Sequence, residues 1–308
     1  MFDAVSARGD GPREVEVKSW NPFLLQDIPK AGEDPSFPVV GELYLPAADT
    51  RAPAVVFSQG LGGVRDARER SYAAQITQLG YAGLVIDSFK SRGTDGHAEP
   101  VRALEVTESM ILSDAFAGLR YLAARPDIDP SRIYIVGFSY GGMVSVLSAH
   151  EQFARVFLPD GLRFAGHVSY YGSTVPRVED VRTSGAPVTI MQGGKDGNVD
   201  LARSQEIAED VRRGGSPVDY TLFPEAYHQW ESAETKRSFV RFNIAACRMH
   251  VAADGTIRDE RTGLRIGGVA TRTLAIIMSA SPRGYYMRRD DEIKRRSDDI
   301  LLAALSQS

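Results

Sequence analysis

The stretch Arg132-Ile-Tyr-Ile-Val-Gly-Phe-Ser-Tyr-Gly-Gly-Met143 decides how the chain folds. A run of β-branched and apolar residues stops at Gly137-Phe138-Ser139-Tyr140-Gly141. This is a G-x-S-x-G pattern, placed where a buried strand turns into a helix. So sharp a turn pushes the Ser backbone toward strained angles, and a side chain at position 137 or 141 would collide with it. Ser139 Oγ is then expected at the top of a sheet. The first N–H groups of the next helix lie beside it, free to bind negative charge.

Outward from this turn, apolar strand runs alternate with helical patterns. Ala54–Phe57, Tyr81–Ile86, Ala165–Tyr171, Pro187–Gln192 and Val218–Phe223 read as strands. Helices are expected from about Asp66 to Leu79, with Tyr72, Ile76 and Leu79 on one face, and over Val101–Ala124. Others are expected from Ser139 to about His150 and over Asp200–Arg213. Such alternation implies right-handed βαβ units, and so a mainly parallel, doubly wound α/β sheet with helices on both faces. Two alternating segments, Glu14–Trp20 and Val39–Leu45, suggest an antiparallel opening, separated by a loop over 21–38 and preceded by a loose tail over 1–11. After Ser232 the alternation weakens: Lys236–Ala246 is expected to be helical, Met249–Arg265 to form a hairpin, and Asp290–Leu305 an amphipathic helix. One domain is expected over 1–308, with a core of about 39–246 and a C-terminal elaboration of about 247–308. The last helix is either a dimer surface or packed on its own chain.

Composition narrows the function classes. The 308 residues are 43% hydrophobic and 25% charged, with a net charge of −4. No basic field points to nucleic acid. The lone cysteine, Cys247, excludes an internal disulfide and a Cys metal cluster. No stretch approaches the roughly 18 apolar residues of a membrane helix, and Met1–Val15 has no signal-peptide run. Cytoplasmic location is the expectation, with no membrane partner, metal or cofactor.

A serine nucleophile needs a base, an acid to orient the base, and donors for the oxyanion. In a sheet wound this way those groups come from loops at the carboxyl ends of strands. The loop after Pro187–Gln192 offers Asp196; Asp200 reads better as the start of the next helix. Of five histidines (97, 150, 167, 228 and 250), only His228 follows a late strand. The chain order Ser139, Asp196, His228 is that of α/β-hydrolases. Each part alone has a bland reading: a plain turn, a satisfied histidine, a glycine-rich loop. Their occurrence together, in order and each at a strand end, favours catalysis. The second oxyanion donor is expected in Gln59-Gly60-Leu61-Gly62-Gly63, so the N–H groups of Leu61 and Tyr140 are candidates. That loop also imitates a dinucleotide fingerprint, with Asp87 ending the next strand. However, Arg65 occupies the third glycine position, and the reading leaves the other three residues unexplained.

These residues resemble the dienelactone hydrolase family of the α/β-hydrolase superfamily. The likeness rests on Gly137-Phe-Ser-Tyr-Gly-Gly142, Asp87-Ser-Phe…Arg92-Gly93, Gly194-Lys-Asp196 and Ala226-Tyr-His228, and it covers about Val39–Trp230. Family members proper use a Cys nucleophile and a nearby Glu, where this chain has Ser139 and Gly60. The resemblance therefore implies a serine esterase or lactone hydrolase with a small-molecule substrate. A peptidase or acyltransferase on the same fold is the alternative, and a non-catalytic binding protein the rival from another class. The resemblance also suggests Arg92 as a holder of a substrate carboxylate, against a structural pairing with Asp87. Gln59 and Trp230 are further candidates for the substrate pocket.

Overall fold

The computed structural model describes residues 11–28, 34–47, 50–233, 235–279 and 281–306. The tail expected over 1–11 lies, apart from Gly11, outside them. The chain opens with β1 (Arg13–Ser19), β2 (Phe37–Tyr44) and β3 (Ala52–Ser58), then α1 (Ser71–Gln78) and β4 (Ala82–Asp87). Two helices follow, α2 (Glu99–Glu105) and α3 (Glu108–Ala123), then β5 (Ile128–Phe138), α4 (Tyr140–Leu147) and α5 (Glu151–Phe157). Next come β6 (Gly166–Tyr170), β7 (Pro176–Val178), β8 (Val188–Gly193), α6 (Leu201–Arg213) and β9 (Val218–Phe223). The C-terminal part holds β10 (Ser238–Val240), β11 (Met249–Val251), β12 (Ile257–Asp259), β13 (Arg265–Ile266), α7 (Val269–Ser279), β14 (Tyr285–Met287) and α8 (Asp291–Leu305).

The main sheet has eight strands in the order β1-β2-β4-β3-β5-β6-β8-β9. β1, β2 and β4 pair antiparallel, and from β4 to β9 every pairing is parallel. β3 and β5 are central and covered on both sides, so their side chains alternate between two cores. Ala54, Val56, Ile133 and Ile135 join one cluster with residues of α3, α4 and α5. Val55, Phe57, Tyr134 and Val136 join the other, with residues of α1 and α8. This explains the near-continuous apolar runs in the sequence. The side on which successive strands are added switches at β3, since β4 lies on one side of it and β5 on the other. The crevice at the carboxyl ends of such strands is where open α/β sheets bind ligands.

Several expectations change. The helix expected over 101–124 is two helices, because Thr107 takes extended backbone and its hydroxyl caps α3 by accepting from Met110 N. Leu79 is half exposed, because the helix ends at Gln78. Lys236–Ala246 is not helical; Ser238–Val240 pairs instead with Tyr285–Met287. The hairpin of β11 and β12 is present, extended by β13 and joined in parallel by β7. β1 belongs to the main sheet although it precedes the expected core. α8 packs on its own chain: Ile293, Leu301 and Leu305 are buried in the second core, and Tyr72 Oη donates to Asp298 Oδ1 at 2.7 Å. Among the described residues no helix is long and apolar enough to cross a membrane.

Candidate active site

β5 ends in the predicted turn. Ser139 has φ 54° and ψ −109°, a region non-glycine residues rarely adopt, at a cost of roughly 1–3 kcal/mol. The flanking glycines permit it: a Cβ on Gly137 would lie 1.9 Å from Gly141 O, and one on Gly141 would lie 2.1 Å from Ser58 O. The turn is held by hydrogen bonds on both sides. Ser139 N donates to Tyr170 O at 2.9 Å, and Ser139 O accepts from Met143 N and Ser173 N, each at 3.1 Å.

The loops after β8 and β9 reach the same point. His228 Nε2 lies 3.0 Å from Ser139 Oγ, and His228 Nδ1 lies 2.6 Å from Asp196 Oδ2. The other carboxylate oxygen of Asp196 accepts from Asn198 N at 2.8 Å. With Nδ1–H donated to the carboxylate, Nε2 is the acceptor facing the hydroxyl. Asp200 is elsewhere, capping α6 by accepting from Arg203 N. His150 and His167 are buried on the α4 side, and desolvation pushes them down to about 4 and about 3, so they stay neutral.

The loop after β3 runs directly against the turn: a Cβ on Gly60 would lie 3.4 Å from Ser139 Cβ. Gly63 N donates to Gly60 O at 2.9 Å. Because a peptide is planar and trans, fixing the Gly60 carbonyl points the Leu61 N–H the opposite way. Arg102 Nη1 and Arg68 Nη2 hold the next carbonyls, Leu61 O and Gly63 O, each at 3.0 Å. Among the described residues neither Leu61 N–H nor Tyr140 N–H is donated to a protein acceptor.

Three sequence candidates have other partners in the structure. Arg92 is not a carboxylate holder at the site: its guanidinium grips Asp114 (2.7 and 3.1 Å) and Ser88 O (3.1 Å), with its side chain 7% exposed. Its structural partner is thus Asp114 on α3, not Asp87. Gln59 is fully buried, its amide spanning Ile86 O and Phe89 N at 3.2 Å each. Trp230 is fully buried as well, and Nε1 donates to Ser297 Oγ at 3.0 Å. Both side chains face the interior, with no surface left for a substrate.

Further aromatic and charged residues surround the site. The rings of Tyr171 and Tyr285 meet the His228 imidazole edge-on, with centroids at 4.6 and 5.0 Å. β14 pins the His228 loop: His228 N donates to Tyr286 O at 3.3 Å, and Arg288 N donates to His228 O at 3.4 Å. Behind lies a buried polar cluster. Arg68 Nε donates to Glu69 Oε1 at 2.7 Å, and Tyr171 Oη donates to Glu231. Burial pushes the Glu231 carboxyl above its usual range. No spacing rule links these residues, which come from four separate segments.

A family model for the dienelactone hydrolase family matches residues 39–253, more than half of the chain. The chain belongs to the dienelactone hydrolase family. Among its relatives is the quorum-quenching protein AidA of Acinetobacter baumannii, 32% identical over 38% of this chain and 39% of that protein. Another is a Methylorubrum extorquens protein provisionally named carboxymethylenebutenolidase, 23% identical over 61% of this chain and 66% of that protein. The chain thus spans less than two thirds of either relative. In fold it is similar to a provisionally assigned dienelactone hydrolase of Klebsiella pneumoniae, with a TM-score of 0.54 at 22% identity, covering 72% of this chain and 89% of the other.

Proposed function

We propose that this dienelactone hydrolase family member is a serine hydrolase that cleaves a carboxylic ester or lactone of a small molecule through an acyl-enzyme. The observation that carries the reading is the unbroken line Asp196–His228–Ser139, with bonds of 2.6 and 3.0 Å. Ser139 Oγ attacks the acyl carbon while its proton passes to His228 Nε2. The carbonyl oxygen becomes negative between the N–H groups of Leu61 and Tyr140; one such donor is worth about 2.7–4 kcal/mol of transition-state stabilisation. His228 then protonates the leaving oxygen, and the C–O bond breaks. Water attacks the acyl-enzyme, with His228 again as base, and the acid and free Ser139 are released. Asp196 keeps the imidazole in the tautomer that has Nε2 bare. The route draws on no metal or cofactor.

The test is turnover of short p-nitrophenyl esters, with covalent labelling of Ser139 by a fluorophosphonate. Wild type is expected to do both and Ser139→Ala neither. Equal turnover in the two proteins would remove Ser139 from the mechanism. Absence of both turnover and labelling in wild type would favour a binding protein.

A further inference from the structure

The residue after Ser139 has a side chain with an unusual anchorage. Tyr140 is 3% exposed, and its hydroxyl donates to Glu108 Oε2 at 2.9 Å. The same carboxylate is gripped by Arg272, with Nη1 to Oε1 at 2.9 Å and Nη2 to Oε2 at 2.7 Å. Arg272 Nη2 also lies 3.2 Å from Tyr140 Oη. All three groups are buried, Glu108 at the start of α3 and Arg272 on α7 of the C-terminal part.

A buried ion pair is not an efficient source of stability, since apolar residues of like volume often serve as well. What this one does supply is a rigid anchor, because a bidentate Arg–carboxylate pair has a single good geometry. The group it anchors is the far end of the Tyr140 side chain. The near end is the peptide N–H proposed to face the oxyanion. Ser139 is strained, and such a conformation persists only where its surroundings over-determine it. The sheet holds it on one side, through the bond to Tyr170 O. On the other side α4 begins with Tyr140, and the Glu108–Arg272 pair holds that residue.

We infer that Arg272 is a positioning residue: through Glu108 and the Tyr140 hydroxyl it fixes the Tyr140 N–H in place, so the C-terminal part is a component of the reaction site. The inference rests on the hydrolase reading above. Arg272 touches no reacting atom. It lines a small cavity with Ala103, Glu108, Tyr140, Cys247 and Ile276. Truncation to Ala would enlarge that cavity enough for a free guanidinium ion to reach Glu108.

The experiment compares wild type with Arg272→Ala, Arg272→Lys and Tyr140→Phe. It measures kcat and KM on a short p-nitrophenyl ester, the fluorophosphonate labelling rate of Ser139, and amide hydrogen exchange over 139–143. Arg272→Ala is expected to lower kcat and labelling about 10- to 100-fold, the scale set by small misplacements of catalytic groups, with KM unchanged. Exchange over 139–143 should rise while exchange around His228 does not. Millimolar guanidinium should restore part of kcat to Arg272→Ala and leave wild type unaffected. Arg272→Lys, which keeps charge but loses the fork, should fall between the two. Unchanged labelling and unchanged exchange over 139–143 in Arg272→Ala would overturn the inference. If that variant does not fold, Tyr140→Phe carries the test, and unchanged kcat and exchange there overturn it equally. A wild type that neither turns over nor labels defeats the hydrolase reading instead; the exchange measurement then decides the role of Arg272 alone.

Discussion

His167 lies within β6, and its ring is 1% exposed against the inner face of α4. Nδ1 lies 2.9 Å from Ser148 Oγ and 3.1 Å from Ser145 O, so Nδ1–H is the donor to the carbonyl. Nε2 has no partner. A proton there would create a buried, unsolvated cation, and burial pushes the folded-state pKa down from 6.5 to about 3. The unfolded chain therefore takes up a proton near pH 6.5 that the folded chain refuses. The stability contribution is fully present above pH 6.5 and is lost progressively as pH falls toward 3. Each pH unit in that window costs about 1.4 kcal/mol, so this residue accounts for about 2 kcal/mol lost by pH 5. The perturbation is His167→Asn, whose amide nitrogen can reach Ser145 O but does not titrate. Urea unfolding of both proteins at pH 7 and pH 5 supplies the four stabilities. His150, which behaves similarly, cancels because both proteins contain it. Relative to wild type, the variant should gain about 2 kcal/mol between pH 7 and pH 5. A stability gap that is the same at both pH values would refute the reasoning.

Three further outcomes are expected. Asp196→Asn should lower kcat by about 10⁴-fold, because the amide favours the wrong imidazole tautomer; steady-state kinetics on a p-nitrophenyl ester checks this, and a loss confined to KM would contradict it. Gly141→Ala should abolish fluorophosphonate labelling, since its Cβ would fall 2.1 Å from Ser58 O and the turn could not close; labelling at the wild-type rate would show that the turn tolerates what its packing forbids. Arg92→Ala should cost about 3–5 kcal/mol of stability by leaving the buried Asp114 carboxylate without its cation, with only Ser19 Oγ still donating to it. Its preference between neutral and carboxylate-bearing esters should not change; denaturant unfolding and paired substrate kinetics separate these effects.

Much of the site was legible because its logic is local. Ser139, Asp196 and His228 each sit just beyond an apolar run that can only be a strand, and the sheet brings such loop ends to one edge. The loop carrying Leu61 follows β3 in the same way, and the structure runs it against the Ser139 turn. The directions taken by the Arg92, Gln59 and Trp230 side chains were not legible in this way. Arg92 follows β4 as the resemblance leads one to expect, but its guanidinium turns inward to Asp114, 22 residues away. Gln59 and Trp230 neighbour the site in sequence yet point into the interior. The break at Thr107 was hidden because the apolar spacing continues in phase across it, while the capping hydroxyl is visible only in three dimensions.

The sequence by itself determined the alternation of strands and helices, the nucleophile turn and the three groups placed at strand ends. Apolar periodicity, glycine and chain order are properties of neighbouring residues, and they act wherever the segment lies. Only the tertiary structure decided what surrounds that line. Tyr140 and Glu108 are 32 residues apart, and Glu108 and Arg272 are 164 apart. Tyr285 reaches His228 from the far end of the chain. A buried charge or ring is placed by whichever distant segment can satisfy it, so its partner carries no signature in the chain.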